Sequence, residues 1–153
     1  MVVSFETIEH LADARSAVDE AARLLAPGGL YIVSTPNRLI AGIGAPAEIN
    51  THNRFHVREY ALSELVDLLG PNFLIAETYV QVWMTGGMRL ARAAYHGLQG
   101  VHLGQAARYA WGLLWRLTSP PREVLPTPLP PSYSERSGLQ PMYFIIVAKR
   151  REW

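Results

Sequence analysis

The feature that most constrains the fold is a continuous apolar run from Leu30 to Ser34, which directly follows the helix-stopping triplet Pro27-Gly28-Gly29. An apolar run without alternation is typical of a parallel strand that is buried on both faces. Before it, apolar residues recur at helical spacing behind Asp13, a good helix N-cap, and a short apolar run occupies residues 1–5. The opening of the chain therefore predicts a strand, a helix and a second, parallel strand.

Three later segments extend this pattern. A helix is predicted from Ala61 to Leu69 with Gly70 as its C-cap, a strand from Phe73 to Val82, and a closing strand from Met142 to Ala148. Two strand–helix units and a final strand predict an α/β sheet with right-handed crossovers. Because ligands bind beyond the carboxyl ends of the strands in such sheets, the polar residues that follow the first two strands are the first candidates for chemistry.

The segments between these elements leave alternatives open. Residues 38–59 lack a periodic pattern, and loops of that length are usually functional or disordered. Residues 84–118 are predicted to be helical and basic, and they fit a lid over an anionic or aromatic acceptor, a membrane-surface segment or an amphipathic packing insert. Residues 119–138 are rich in proline, which predicts an extended and poorly packed connector or a ligand for a proline-recognition module.

Composition narrows the class of protein. The length of 153 residues fits one domain, and a net charge of +1 with 49% hydrophobic residues is globular and argues against a polybasic nucleic-acid-binding protein. The absence of cysteine excludes a disulfide framework, a thiolate zinc site and a cysteine nucleophile. The chain start lacks a signal-peptide pattern, so we expect a cytoplasmic protein with at most peripheral membrane contact.

Four motifs then occur in order and at plausible spacing, and together they resemble the C-terminal half of the class I S-adenosylmethionine-dependent methyltransferases. The resemblance covers residues 1–82 and 141–150. It implies a partial Rossmann-like sheet with the strand order 4-5-7-6 in the numbering of that family and an antiparallel last strand. The motifs are Phe5-Glu6-Thr7-Ile8-Glu9-His10-Leu11, Leu24-Leu25-Ala26-Pro27-Gly28-Gly29, Ser34-Thr35-Pro36-Asn37 and Phe55-His56-Val57-Arg58-Glu59-Tyr60.

The family holds S-adenosylmethionine with a Gly-rich loop after strand 1 and an acidic residue after strand 2, and this sequence resembles only strands 4 to 7. The resemblance therefore implies a single incomplete methyltransferase domain over residues 1–153, with a helical and Pro-rich insert at 83–140 and little or no cofactor affinity of its own. Phe5 and Glu6 are the candidate cofactor contacts. The free edge of the first strand is expected to pair with a second copy or with a complementing chain.

Glu6, Glu9 and His10 combine two carboxylates and an imidazole, a plausible ligand set for Mg, Mn or Zn, with His56 as a fourth ligand. The pattern is similar to the Glu-x-x-Glu-His of ubiquinone-biosynthesis O-methyltransferases, and to small-RNA 2′-O-methyltransferases, which add a later His followed by x-x-Glu-aromatic. The resemblance implies O-methyl transfer with Glu9, His10 and His56 as catalytic residues. Alternatively, Glu9 and His10 only satisfy backbone groups, and His56 is a general base or orders its loop.

Candidate contacts for a small-molecule acceptor are Thr35 and Asn37, after the second strand, and Arg89 in the basic segment. Asn37 is more typical of a turn residue than of a ligand contact. Ser4-Phe5-Glu6-Thr7 stands where amino-methylating nucleic-acid enzymes carry Asp-Pro-Pro-Tyr-type residues, so no nucleic-acid partner is expected.

A hypothesis of a different class is a non-catalytic remnant or binding module that dimerises through its sheet edge. Affinity for S-adenosylmethionine distinguishes the two.

Overall fold

The computed structural model describes residues 1–41, 53–84, 86–88, 109–110, 113 and 125–152. Most of the predicted lid, including Arg89, lies outside this part of the chain. Within it, no helix is long and apolar enough to cross a membrane. A short 3-10 turn spans Ile8–His10, and the other elements are β1 (Val2–Phe5), α1 (Ala14–Leu24), β2 (Leu30–Pro36), α2 (Arg38–Ala41), α3 (Leu62–Leu69), β3 (Phe73–Met84), β4 (Thr127–Pro128) and β5 (Gln140–Arg150).

The strands form one mixed sheet in the order β1-β2-β5-β3-β4. β1 runs parallel to β2, and β5 lies between β2 and β3, antiparallel to both. This confirms the α/β fold class, with a partial Rossmann-like sheet, the strand order 4-5-7-6 and the antiparallel strand that the resemblance implied. The two-residue strand β4 adds an outer edge beside β3 that was not predicted.

The two longer helices cover one face of the sheet. α1 begins at its predicted N-cap, since the Asp13 carboxylate accepts a hydrogen bond of 3.0 Å from the Ser16 backbone N–H. Side chains of α1 and α3 pack against β2 and β5 in one core that includes Val18, Leu65 and Ile146, each 0% exposed. Because this core fixes the sheet against both helices, it brings the turn after β1 next to the loop before α3.

Of the predicted Pro-rich connector at 119–138, the described residues 125–138 are mostly exposed and none of them is buried, as expected of a poorly packed segment, while hydrogen bonds to Gln140 hold its C-terminal part in place. The Gln140 side chain is 0% exposed, and its amide nitrogen donates to the backbone carbonyls of Ser134, Glu135 and Ser137, each at 3.0 Å. The Tyr133 hydroxyl donates to the Gln140 amide oxygen at 2.7 Å. A buried amide that uses both of its ends holds the segment firmly, because breaking these bonds would leave several polar groups without partners.

Candidate functional site

The site forms where the 3-10 turn after β1 meets the loop before α3. The backbone N–H groups of Val57 and Arg58 both donate to the Glu9 carbonyl oxygen, at 2.8 and 3.1 Å. The His10 ring nitrogen Nδ1 lies 2.8 Å from the Phe55 carbonyl oxygen. Three hydrogen bonds therefore hold the loop against the turn before any ligand is bound.

This contact assembles a cluster of three titratable side chains, Glu9, His10 and His56. One potential ligand atom from each lies within 4.8 Å of the other two. The imidazole rings of His10 and His56 meet edge to face, with centroids 4.8 Å apart and planes at 85°. His10 Nε2 is 3.9 Å from Glu9 Oε1. Three of the four predicted metal ligands thus come together at the carboxyl end of β1.

The Glu9 carboxylate is buried, with 1% of the residue exposed. Its Oε2 accepts a hydrogen bond of 3.1 Å from the Thr35 hydroxyl. Its Oε1 has no hydrogen-bond partner among the described residues. Because an unpaired buried carboxylate oxygen is costly, the site is better satisfied when a positive charge faces Glu9 Oε1.

A second buried carboxylate lies beside the cluster. Glu59 is 1% exposed, and its Oε1 lies 2.6 Å from His56 Nδ1. Two buried carboxylates, Glu9 and Glu59, therefore accompany two imidazoles, and buried negative charges are stable only when cations balance them. Sequence reasoning did not assign a role to Glu59, although the motif from His56 to Tyr60 contained the signal, a Glu three residues after a candidate His.

Glu6, the fourth predicted metal ligand, lies outside this cluster, and its role as a ligand stays a prediction. The Ser34 hydroxyl donates to Glu6 Oε1 at 2.8 Å, and the Glu6 N–H lies 3.1 Å from the Ser34 Oγ and 3.2 Å from its carbonyl oxygen. These contacts tie Glu6 to β2, with φ at +48°. Burial raises the pKa of the Glu6 carboxyl above its ordinary value of 4.5; the bond from Ser34 opposes this shift, and the charge of Glu9 adds to it.

Phe5 and Glu6, the predicted cofactor contacts, remain open to a ligand. Phe5 is 55% exposed, and both residues border a cleft of about 510 Å³ on the sheet. Most of the surface that lines the cleft is apolar. Its residues come from β1, β2, β3, β5 and the Pro-rich stretch: Phe5, Glu6, Ser34, Gln81, Pro126, Tyr143 and Ile145.

Thr35 and Asn37, the predicted acceptor contacts, are both buried at 0% exposure. Asn37 Nδ2 donates to the Pro141 carbonyl oxygen at 2.8 Å, and its Oδ1 accepts from the Leu39 N–H at 3.0 Å. The Thr35 hydroxyl donates to the Glu9 carboxylate. Both side chains are thus engaged within the fold, and their role as acceptor contacts stays a prediction. The third predicted contact, Arg89, lies outside the described residues.

Comparison with known proteins gives the chemistry of the relatives. Residues 1–33 match a family described as a methyltransferase domain. A probable S-adenosylmethionine-dependent methyltransferase of Mycolicibacterium smegmatis is 37% identical over 97 residues, which cover 63% of this chain and 37% of the relative. Another, from Mycobacterium tuberculosis H37Rv, is 43% identical over 86 residues, 56% of this chain and 28% of the relative.

The ubiquinone biosynthesis O-methyltransferase of Caulobacter sp. K31 is 36% identical over 87 residues, 46% of this chain and 34% of that protein. Among solved structures, the [4+2]-cyclase SpnF is 15% identical with a TM-score of 0.46, over 99% of this chain and 49% of that one. The chain thus spans well under half of the length of the curated relatives that it matches. Over the part of the chain that they cover, the curated relatives and the methyltransferase-domain match at residues 1–33 support the resemblance to the class I S-adenosylmethionine-dependent methyltransferases.

Proposed function

We propose that this chain forms the acceptor side of an S-adenosylmethionine-dependent O-methyltransferase site, in which Glu9, His10 and His56 act on an acceptor hydroxyl. The observation that carries the proposal is Glu9 Oε1, which has no hydrogen-bond partner within the part of the chain that the structure describes and lies beside two imidazoles at the sheet edge where α/β proteins bind ligands. The methyltransferase relatives support methyl transfer as the reaction.

The donor set fits a divalent cation, Mg or Mn. Carboxylate oxygens suit both ions, and imidazole suits the transition metals, of which Mn accepts a mixed N and O set. The buried carboxylates of Glu9 and Glu59 also leave a negative charge to be balanced. Glu9, His10 and His56 would hold the ion. When bound, it would polarise the acceptor hydroxyl and lower the pKa of that hydroxyl.

The residues themselves supply positioning and a proton acceptor. Thr35 orients the Glu9 carboxylate, and the Phe55 carbonyl orients the His10 ring. His56, with Nδ1 on the Glu59 carboxylate, has its one lone pair on Nε2. That nitrogen would either ligate the ion, in which case the proton of the acceptor hydroxyl goes to water, or, in a site without the ion, take that proton itself. The oxygen then forms its bond to the sulfonium methyl carbon as the carbon–sulfur bond breaks, and the thioether leaves.

The cleft beside Glu6 supports an acceptor with an apolar body. Its volume of about 510 Å³ lies within the range of small-molecule sites, which are mostly apolar with a few polar groups. Glu6 borders the cleft and lies three residues before Glu9 in the turn after β1, so the cleft and the cluster are neighbours. A small molecule with its apolar part in the cleft can therefore direct a hydroxyl toward the cluster.

The proposal also includes a second polypeptide at the edge of the sheet. Within the described part of the chain, β1 pairs with β2 alone, and Val3 and Phe5 are 47% and 55% exposed. β1 carries no charge or proline that would discourage pairing at its outer edge. A second copy or a complementing chain can extend the sheet there.

The experiment that tests the reaction measures transfer of a tritiated methyl group from S-adenosylmethionine to apolar alcohols and phenols. The protein is expressed from the genomic gene with a purification tag fused after residue 153, so any segment that the gene encodes before this sequence is purified with it. We expect labelled ethers, lost in Glu9→Gln and His56→Gln but retained in the control Glu20→Gln, which changes an exposed residue of α1. No transfer, transfer to amines alone, or equal labelling by all variants would refute the proposal.

A further inference from the structure

The tautomer of His56 can be read from its neighbours. Nδ1 lies 2.6 Å from Oε1 of the buried Glu59 carboxylate. An ionised carboxylate only accepts hydrogen bonds, so Nδ1 is the nitrogen that carries the proton. The neutral ring then has its lone pair on Nε2.

A second, independent contact gives the same tautomer. The Asn53 amide nitrogen lies 2.7 Å from His56 Nε2, and the Asn53 Oδ1 accepts from the Phe55 N–H at 3.1 Å. The bond to Phe55 fixes which end of the amide is oxygen, so the NH₂ group faces the ring. Because that group only donates, His56 Nε2 must accept, and it therefore carries the lone pair.

His10 is held in the same tautomer by a different partner. Its Nδ1 lies 2.8 Å from the Phe55 carbonyl oxygen, which only accepts, so Nδ1 carries the proton here as well. Its Nε2 lies 3.9 Å from Glu9 Oε1. In both rings the lone pair is therefore on Nε2, which lies beside Glu9 Oε1 in His10 and accepts from the Asn53 amide in His56.

We propose that Glu59 is a positioning residue: through His56 Nδ1 it holds the imidazole in the tautomer and orientation that put the Nε2 lone pair at the cluster, where Asn53 is its partner in this structure. Part of this inference rests on the proposed function, because Nε2 is the nitrogen that serves there. The i to i+3 spacing on one short loop explains how a buried carboxylate reaches the ring. Carboxylates that hold the second nitrogen of a ligating histidine act in the same way in metal sites generally.

The first test requires neither metal nor substrate. Long-range ¹H–¹⁵N NMR spectra of the metal-free protein, recorded at increasing pH until the ring signals stop changing, report the tautomer of each ring. We expect the Nδ1–H pattern for both His10 and His56. Because Asn53 also holds Nε2 as an acceptor, the comparison is made in Asn53→Ala. There the Nδ1–H pattern of His56 should persist while Glu59 is present and move toward the Nε2–H form in Asn53→Ala/Glu59→Ala, while His10, held by the Phe55 carbonyl, should not change and serves as the internal control. The Nε2–H form of His56 in the parent, or an unchanged His56 in Asn53→Ala/Glu59→Ala, would overturn the inference.

The second test uses Mn²⁺ alone as the probe, with affinity measured by electron paramagnetic resonance. Glu59→Ala should weaken binding by about 10–100-fold, the usual effect of losing such a partner. Glu59→Gln should restore part of it, because its amide oxygen still accepts from Nδ1. If Glu59 only supported the fold, the loss of affinity would follow the loss of stability and Glu59→Gln would not restore it. If the parent binds no Mn²⁺, the cation proposal fails, and the NMR spectra still decide the role of Glu59.

Discussion

The replacement Glu9→Gln tests the unbalanced charge at the centre of the site. Glu9 is 1% exposed, with one oxygen on Thr35 and the other without a partner among the described residues. An unsatisfied buried polar group costs about 1–3 kcal/mol, and more when it is charged. The amide removes the charge, keeps an oxygen for Thr35 and offers an N–H toward the His10 Nε2 lone pair. Without metal, the free energy of unfolding of the variant should therefore be about 1–3 kcal/mol higher than that of the parent.

The assay is thermal unfolding, followed by circular dichroism in a chelator and again with excess Mn²⁺. For a chain of this size each kcal/mol shifts the melting temperature by about 2–4 °C, so Glu9→Gln should melt several degrees above the parent in the chelator. Mn²⁺ should raise the melting temperature of the parent and leave that of Glu9→Gln unchanged. Glu20→Gln, on the exposed face of α1, should follow the parent in both conditions.

The result that would refute this reasoning is a Glu9→Gln variant that melts below the parent in the chelator. It would mean that the Glu9 charge is already compensated inside the fold. If Mn²⁺ leaves the melting temperature of the parent unchanged, the proposed cation site is wrong.

Three further outcomes are expected. Ser34→Ala should raise the pKa of Glu6 further, because the Ser34 bond lowers it; ¹³C NMR titration of the carboxyl measures this. Since the folded-state pKa of Glu6 is already raised, its contribution to stability is present below the ordinary value of 4.5 and is lost as pH rises through the folded pKa. Asn37→Ala should cost about 1–3 kcal/mol in urea unfolding, whereas unchanged stability with altered acceptor affinity would instead support Asn37 as a ligand contact. Val3→Lys should shift the protein toward monomer in light scattering, and a monomeric parent would contradict pairing through β1.

The local patterns predicted the elements well, because each depends on neighbours in the chain. The apolar face behind Asp13, the Pro-Gly-Gly stop and the unbroken apolar run of β2 each indicate structure within a few residues. The order of the strands came from the family resemblance, because the position of β5 between β2 and β3 depends on contacts between distant segments.

The site was predictable in its residue types but not in its arrangement. Thr35 and Asn37 look like ligand contacts because they are polar and follow a strand. Their burial depends on distant groups, since the carbonyl that Asn37 binds belongs to Pro141, 104 residues away. For the same reason the sequence did not separate Glu6, held by Ser34, from Glu9, held by Thr35. Both carboxylates follow β1, and only the fold decides which one faces the imidazoles.

The most direct test of the account is an anomalous diffraction measurement on a crystal of this chain soaked in Mn²⁺. The account predicts one strong anomalous peak within bonding distance of Glu9 Oε1, His10 Nε2 and the His56 ring, absent from crystals of Glu9→Gln. A parent crystal with no peak at these three residues, or a peak that persists in Glu9→Gln, would contradict it.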